Sequence, residues 1–175
     1  MISTTAEAAT QKPIVVIETS EGAIWVQLYP DKAPATVDNF LRYVDSDFYT
    51  KTIFHRVMAG FMIQGGGFDE NLRKKMTNRP VKYEGDNGLS NKRGTIAMAR
   101  TNDPNSATAQ FYINLVDNPS LDHKMMEPGY TVFGKVVRGL KVVQKIGSAL
   151  TGQRKGYSDV PRTPIFIEKV YRLKR

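Results

Sequence analysis

Two spacings organise the apolar residues of this chain, and most of the length follows the shorter one. Residues 14–19 are β-branched and strand-like. Ser20-Glu21-Gly22 supplies turn chemistry, and Ile24, Val26 and Leu28 then alternate with Trp25 and Gln27, which predicts a hairpin. The period lengthens after Asp31-Lys32-Ala33-Pro34, where proline suits a first helical turn that has no use for its missing amide hydrogen. Val37, Phe40, Leu41 and Val44 fall at i, i+3, i+4 and i+7, so a helix is expected to run to Asp45-Ser46. Two β-rich runs follow, 53–57 and 61–64, closed by Gly65-Gly66-Gly67, which reads as a bulge or tight bend where strands approach closely, with an anion cradle as the alternative. Residues 68–93 are polar and irregular and predict a long surface loop, functional or mobile. Further strands are expected over 95–99, 110–114 and 131–137. Leu140, Val143 and Ile146 make a second helix that Gly147 ends. A Gly/Ser/Pro-rich loop is expected over 148–164, and a last strand over 165–171. Eight short strands at close spacing with two helices favour a mainly β protein, a closed barrel or sandwich rather than a parallel α/β sheet.

Composition narrows the picture. With 175 residues, 41% hydrophobic and 24% charged, the chain suits one globular domain, expected over 13–175 behind a flexible, Ala/Thr/Ser-rich leader over 1–12. The longest aliphatic run, Ile14–Ile17, is far short of the ~20 apolar residues of a membrane span, so no membrane association is expected. Cysteine is absent, which excludes disulfides, thiolate metal ligands and a cysteine nucleophile. His55 and His123 are far apart and follow no paired ligand spacing, so neither a metal nor a cofactor is expected. The 25 Lys+Arg against 17 Asp+Glu give a formal charge of +8. Its basic groups, such as Arg73-Lys74-Lys75 and Lys92-Arg93, are short and scattered, so they read as a solvated surface rather than a specific nucleic-acid site. No export signal opens the chain, yet its basic, cysteine-free composition suits a periplasmic mature form. Periplasm, for a processed chain, and cytoplasm both stand as expectations.

Unusual residue types concentrate between Phe54 and Gly66. If 53–57 is one strand, Arg56 shares a face with Phe54 while His55 points the other way, and in 61–64 Met62 and Gln64 share a face. A guanidinium, an amide and soft apolar side chains then converge on one shallow patch. The plainer alternatives are a solvated Arg56 and a hydrogen-bonded structural His55.

The chain resembles the cyclophilin family of peptidyl-prolyl cis/trans isomerases, most closely its bacterial members. The likeness runs through Phe54-His55-Arg56-Val57, Gly60-Phe61-Met62-Ile63-Gln64-Gly65-Gly66-Gly67-Phe68 and Gly94-Thr95-Ile96-Ala97-Met98-Ala99-Arg100. It continues through residues 106–114, Leu121-Asp122-His123 and Val132-Phe133-Gly134-Lys135-Val136. The resemblance implies a closed eight-stranded antiparallel barrel capped by two α-helices, with a packed interior and an active site on its outer face. It implies a cofactor-free isomerase and folding helper, expected to be a monomer, acting on proline-containing polypeptides. The catalytic arginine falls on Arg56, and the proline pocket on Phe61, Met62, Tyr112 and Leu121. Polar substrate contacts fall on Gln64, the backbone of Arg100, and Gln110, and Ala99 lines the neighbouring groove. The chain departs from the best-known eukaryotic members at three positions. Tyr112 stands for a phenylalanine, Ser120 for a tryptophan, and Tyr130 for the histidine bordering the pocket. Loss of the indole predicts weak cyclosporin binding. A proline-peptide receptor or chaperone with incidental turnover is the alternative, because fold alone does not fix activity.

Overall fold

The computed structural model describes residues 11–174, so residues 1–10 of the expected leader lie outside the described residues. The alternating segments build the sheet where their pattern places them: β1 (Ile14–Thr19) and β2 (Gly22–Leu28) pair as an antiparallel hairpin. Helix α1 (Pro34–Asp45) follows, with proline at its start, and buries Val37, Phe40, Leu41 and Val44 as the spacing predicts. Then come β3 (Thr52–Ile53), β4 (Arg56–Met58), β5 (Met62–Gly65), β6 (Thr95–Met98), β7 (Phe111–Asn114) and β8 (Val132–Arg138). Helix α2 (Leu140–Gly147), the strands β9 (Thr151–Arg154) and β10 (Tyr157–Pro161), and β11 (Phe166–Arg172) complete the order.

The protein is mainly β, with two helices and one large antiparallel sheet that curls around its core. Nine strands hydrogen-bond in the order β3-β11-β1-β2-β8-β6-β7-β5-β4. Inward-facing side chains such as Ile17, Ile24, Ile63, Ile113 and Phe133 are fully buried. Phe40 of α1 joins them, its ring 5.2 Å from Phe133 and 5.8 Å, edge-on, from Phe111. Such aromatic pairs contribute beyond the area they bury.

The ninth strand arises because the run 53–57 is two strands rather than one. The Phe54 N–H donates to the Ile165 carbonyl at 3.0 Å, and the Ile53 N–H to Phe68 at 3.0 Å. The chain therefore leaves one edge of the sheet at Ile53 and joins the other at Arg56, with only Phe54 and His55 between. Simple alternation fails across this break. Phe54 is buried in the core and Arg56 is exposed, so the two do not share a face.

The loop expected over 148–164 is a hairpin. Lys155 (φ 49°) and Gly156 (φ 83°) both adopt the left-handed conformation of a tight two-residue turn between β9 and β10. Both strands are polar and largely accessible, so no apolar alternation announces them. Val160 of β10 packs with Ile53, Phe68 and Leu72 in a small second cluster.

Candidate active site

Strand register places the chemistry. Arg56 pairs with Gln64, Gln64 with Tyr112, and Tyr112 with Ala97, making one row across β4, β5, β7 and β6. The adjacent row, Val57, Ile63, Ile113 and Ile96, lies in the core. Period two therefore sends the first row to the outer face, where Met62, Ala97, Tyr112 and Val132 form a separate apolar cluster. Met62 and Gln64 share this face as expected. The glycine run lets the row end abruptly. Gly66 has φ +86°, and a Cβ there would lie 2.9 Å from both the Phe111 and Tyr49 rings. At Gly67 a Cβ would meet the Gln110 side chain at 2.4 Å.

A pocket of about 230 Å³ opens on this face. Arg56 and Gln64 line it from β4 and β5, together with Phe61, Met62 and Tyr112. Ala99 and Arg100, just after β6, with Leu121 and Tyr130 complete its wall. Gln110 is set apart: it lines an adjoining depression with Gln64, Ala99 and Arg100. The two amides touch, Gln64 Nε2 donating to Gln110 Oε1 at 3.0 Å. The Arg100 side chain faces the pocket wall: it donates through Nε to the Gly129 carbonyl at 3.0 Å and lies 4.5 Å over the Tyr130 ring. Tyr130 meets Tyr112 edge-on at 5.8 Å.

Sequence reasoning missed the polar layer beneath this wall. The Tyr112 hydroxyl donates to Asn91 Oδ1 at 2.6 Å. Asn91 Nδ2 donates to the Leu121 carbonyl at 3.1 Å and to Asp122 Oδ1 at 3.0 Å. Asn114 Nδ2 also donates to Asn91 Oδ1, at 3.2 Å. Asn118 Nδ2 donates to Asn114 Oδ1 at 2.8 Å and to the Phe61 carbonyl at 2.9 Å. Asn91, Asn114 and Asn118 are all buried. The one available signal was Tyr112 itself, because a buried phenol requires a partner. Burial raises the Tyr112 pKa above the ordinary phenol value, so the hydroxyl keeps its proton.

Two cations line the pocket, Arg56 and Arg100, and Arg100 is engaged by the Gly129 and Pro128 carbonyls. No ion pair among the described residues involves Arg56, so its guanidinium is not tied to a carboxylate. His55 behind it is buried, with its ring 4.5 Å from Phe68. Among the described residues its Nδ1 has no hydrogen-bond partner, contrary to the expected hydrogen-bonded histidine. Burial first, and the Arg56 charge second, lower its pKa to about 4. Among the described residues no group of three or more His, Cys, Asp or Glu side chains is placed to hold a metal ion.

Known proteins resemble this chain in sequence and overall fold. The family model for "Cyclophilin type peptidyl-prolyl cis-trans isomerase/CLD" matches residues 14–172. The chain is 51% identical over 168 residues to peptidyl-prolyl cis-trans isomerase A of Dickeya dadantii, covering 96% of this chain and 88% of that one. It is 50% identical over 160 residues to peptidyl-prolyl cis-trans isomerase B of Escherichia coli, covering 90% and 98%. A crystal structure of a cyclophilin-type isomerase from Cryptosporidium parvum superposes with a TM-score of 0.74 at 26% identity, covering 94% of this chain and 99% of that one. The same protein was also crystallised in the presence of the dipeptide Ala-Pro, and that structure gives a TM-score of 0.73 at 27% identity, covering 93% and 99%. With the matched segment spanning every strand of the curled sheet, the chain belongs to the cyclophilin family of peptidyl-prolyl cis-trans isomerases.

Proposed function

We propose that the chain accelerates rotation about X–Pro bonds in unfolded or flexible polypeptides, with Arg56 donating to the proline nitrogen in the twisted transition state. The observation that carries this reading is the row Arg56–Gln64–Tyr112 beside an apolar pocket on one face of the sheet. An X–Pro bond resists rotation because the nitrogen lone pair is delocalised into the carbonyl, with a barrier of ~18–20 kcal/mol. Raising ~10⁻² s⁻¹ to ~10³ s⁻¹ requires about 7 kcal/mol of transition-state stabilisation. No bond to carbon is made or broken, so the task is geometric and electrostatic. As the bond twists, the nitrogen becomes pyramidal and basic, and a guanidinium donor there gains strength. One preorganised donor is worth ~2.7–4 kcal/mol. The pocket around the proline ring, with Gln64 and Gln110 anchoring the polar part of the chain, supplies the remainder through orientation and water exclusion.

The Ala-Pro crystallisation of the Cryptosporidium relative supports a proline-containing ligand here too. We read the curled sheet as a barrel closed through the chain at Phe54-His55. The close approach of Gly65 to the Ile53 carbonyl across that seam favours this reading. Exposed Ser120, which offers no indole, supports weak cyclosporin binding, and nanomolar affinity in a direct titration would refute it. The principal test is NMR exchange on an X–Pro peptide. Arg56→Ala should lower turnover about 100-fold or more, as expected for loss of one preorganised donor. A wild type that binds the peptide without accelerating exchange would make the protein a proline-peptide receptor instead.

A further inference from the structure

Three of the pocket's walls, Phe61, Tyr112 and Leu121, come from separate segments of the chain: the turn before β5, strand β7 and the 3-10 turn over Pro119–Leu121. Apolar contact alone leaves such walls free to adjust, because it is non-directional. What fixes them is a set of directional bonds that converges on one side chain outside the pocket. We propose that Asn91 is a positioning residue for substrate binding, holding these three walls at the spacing a proline ring requires. The inference rests on the isomerase reading above, since it concerns the same pocket.

Every polar group of Asn91 is used, and it is buried almost completely, 1% exposed. Its side-chain oxygen accepts from the Tyr112 hydroxyl and from Asn114. Its side-chain nitrogen donates to the Leu121 carbonyl and to Asp122. Its backbone N–H donates to Asp122 Oδ1 at 2.6 Å, and its carbonyl accepts from the Asn118 N–H at 2.8 Å. The Asn114–Asn118 relay carries the connection on to the Phe61 carbonyl. These donors and acceptors fit only one orientation of the amide, so the network has a single arrangement. Asparagine suits the position better than its relatives. Aspartate would set a second carboxylate against Asp122 and the Leu121 carbonyl, and an apolar residue would strand the Tyr112 hydroxyl in a dry site. Asn91 touches no ligand, so it acts through the walls.

A group that positions pocket walls helps ground state and transition state alike. Its loss should therefore appear in KM more than in kcat. The experiment compares wild type, Asn91→Ala, Tyr112→Phe and the double variant. Peptide affinity is read by NMR titration with an X–Pro peptide, turnover by exchange, and stability by thermal unfolding. Asn91→Ala should raise Kd and KM about tenfold with kcat within about threefold of wild type, the scale of one or two buried hydrogen bonds. Adding Tyr112→Phe to Asn91→Ala should cost nothing further, because the hydroxyl acts through Asn91. Unchanged Kd and KM in Asn91→Ala, even with a lowered Tm, would reduce Asn91 to a structural role and overturn the proposal. Multiplying effects in the double variant would overturn it as well. If Asn91→Ala does not fold, Asn91→Ser takes its place under the same criteria. Affinity is measured separately from turnover, so absence of catalysis in the wild type would sink the isomerase reading while the wall-positioning claim is still decided by Kd.

Discussion

At His55, burial and the neighbouring guanidinium both disfavour the charged ring, and the pKa falls from 6.5 to about 4. Between those values the unfolded chain binds a proton that the native protein refuses. The stability this contributes is complete above about pH 6.5 and is lost as pH falls towards 4. A shift of this size corresponds to on the order of 3 kcal/mol. Replacing His55 with phenylalanine keeps a ring against Phe68 and removes the titration. Urea unfolding at pH 7.5 and pH 4.5 should show a smaller acid penalty for His55→Phe than for wild type, and equal penalties would refute the assignment. The motif Phe54-His55-Arg56-Val57 made Arg56 legible in the sequence. What it hid was the side on which each neighbour lies, because the strand change between Ile53 and Arg56 is set by backbone bonds to Phe68 and Ile165, distant in sequence. Asn91 was hidden for a related reason: a lone asparagine in a polar stretch looks the same whether it is solvated or fully bonded.

Among the elements, α1 shows how the long segment after β5 is tied down. Ala33 at its N-cap offers no side-chain acceptor. The carboxylate of Glu84, far along the chain, accepts instead from Ala35 N–H at 3.0 Å, Thr36 N–H at 2.9 Å and the Thr36 hydroxyl at 2.7 Å. A carboxylate there also meets the positive end of the helix dipole. Glu84→Ala should therefore cost about 1–2 kcal/mol, a typical capping loss, measurable as a lowered denaturation midpoint. No change would mean that water replaces the cap. The same helix and the turn after it steady the segment that leads to Gln110. Asn39 Nδ2 donates to the Thr108 carbonyl at 2.7 Å, and the Tyr49 hydroxyl to Ala109 at 2.8 Å. Period and end signals made α1 and most strands readable locally. The polarity of 68–93 marked a loop correctly, but its anchoring depends on partners tens of residues away, which no local window contains. The β9–β10 hairpin was missed because its pairing is carried by backbone and turn conformation, with few apolar residues to alternate.

For the whole molecule, the hairpin lies beside the Phe54-His55 link between the sheet's two end strands. Val160 of β10 joins Ile53 of β3 and Phe68 in one cluster, and the ring of Tyr157 meets Phe68 edge-on at 5.2 Å. The cover is small, so thinning it should act locally. Val160→Ala should lower stability by about 1–3 kcal/mol, within the range for shortening a buried aliphatic side chain. Amide hydrogen exchange should rise first in β3, β4 and β10. A uniform rise across all strands would show that the cover is part of the global folding unit.

One feature of the strand order bears on the protein's own birth. β11 lies between β3 and β1, and β3 pairs with no other strand in the sheet. During synthesis, β2, β8, β6, β7, β5 and β4 can acquire all their sheet neighbours before β11 is made, while β1 has only β2. β3 waits, and with it the short tether that sets Arg56. A chain ending at residue 165 should be devoid of isomerase turnover, and activity from such a fragment in the NMR exchange assay would contradict this. The setting of Arg56 would thus be completed only after a strand far downstream in the chain has been made and has paired with β3.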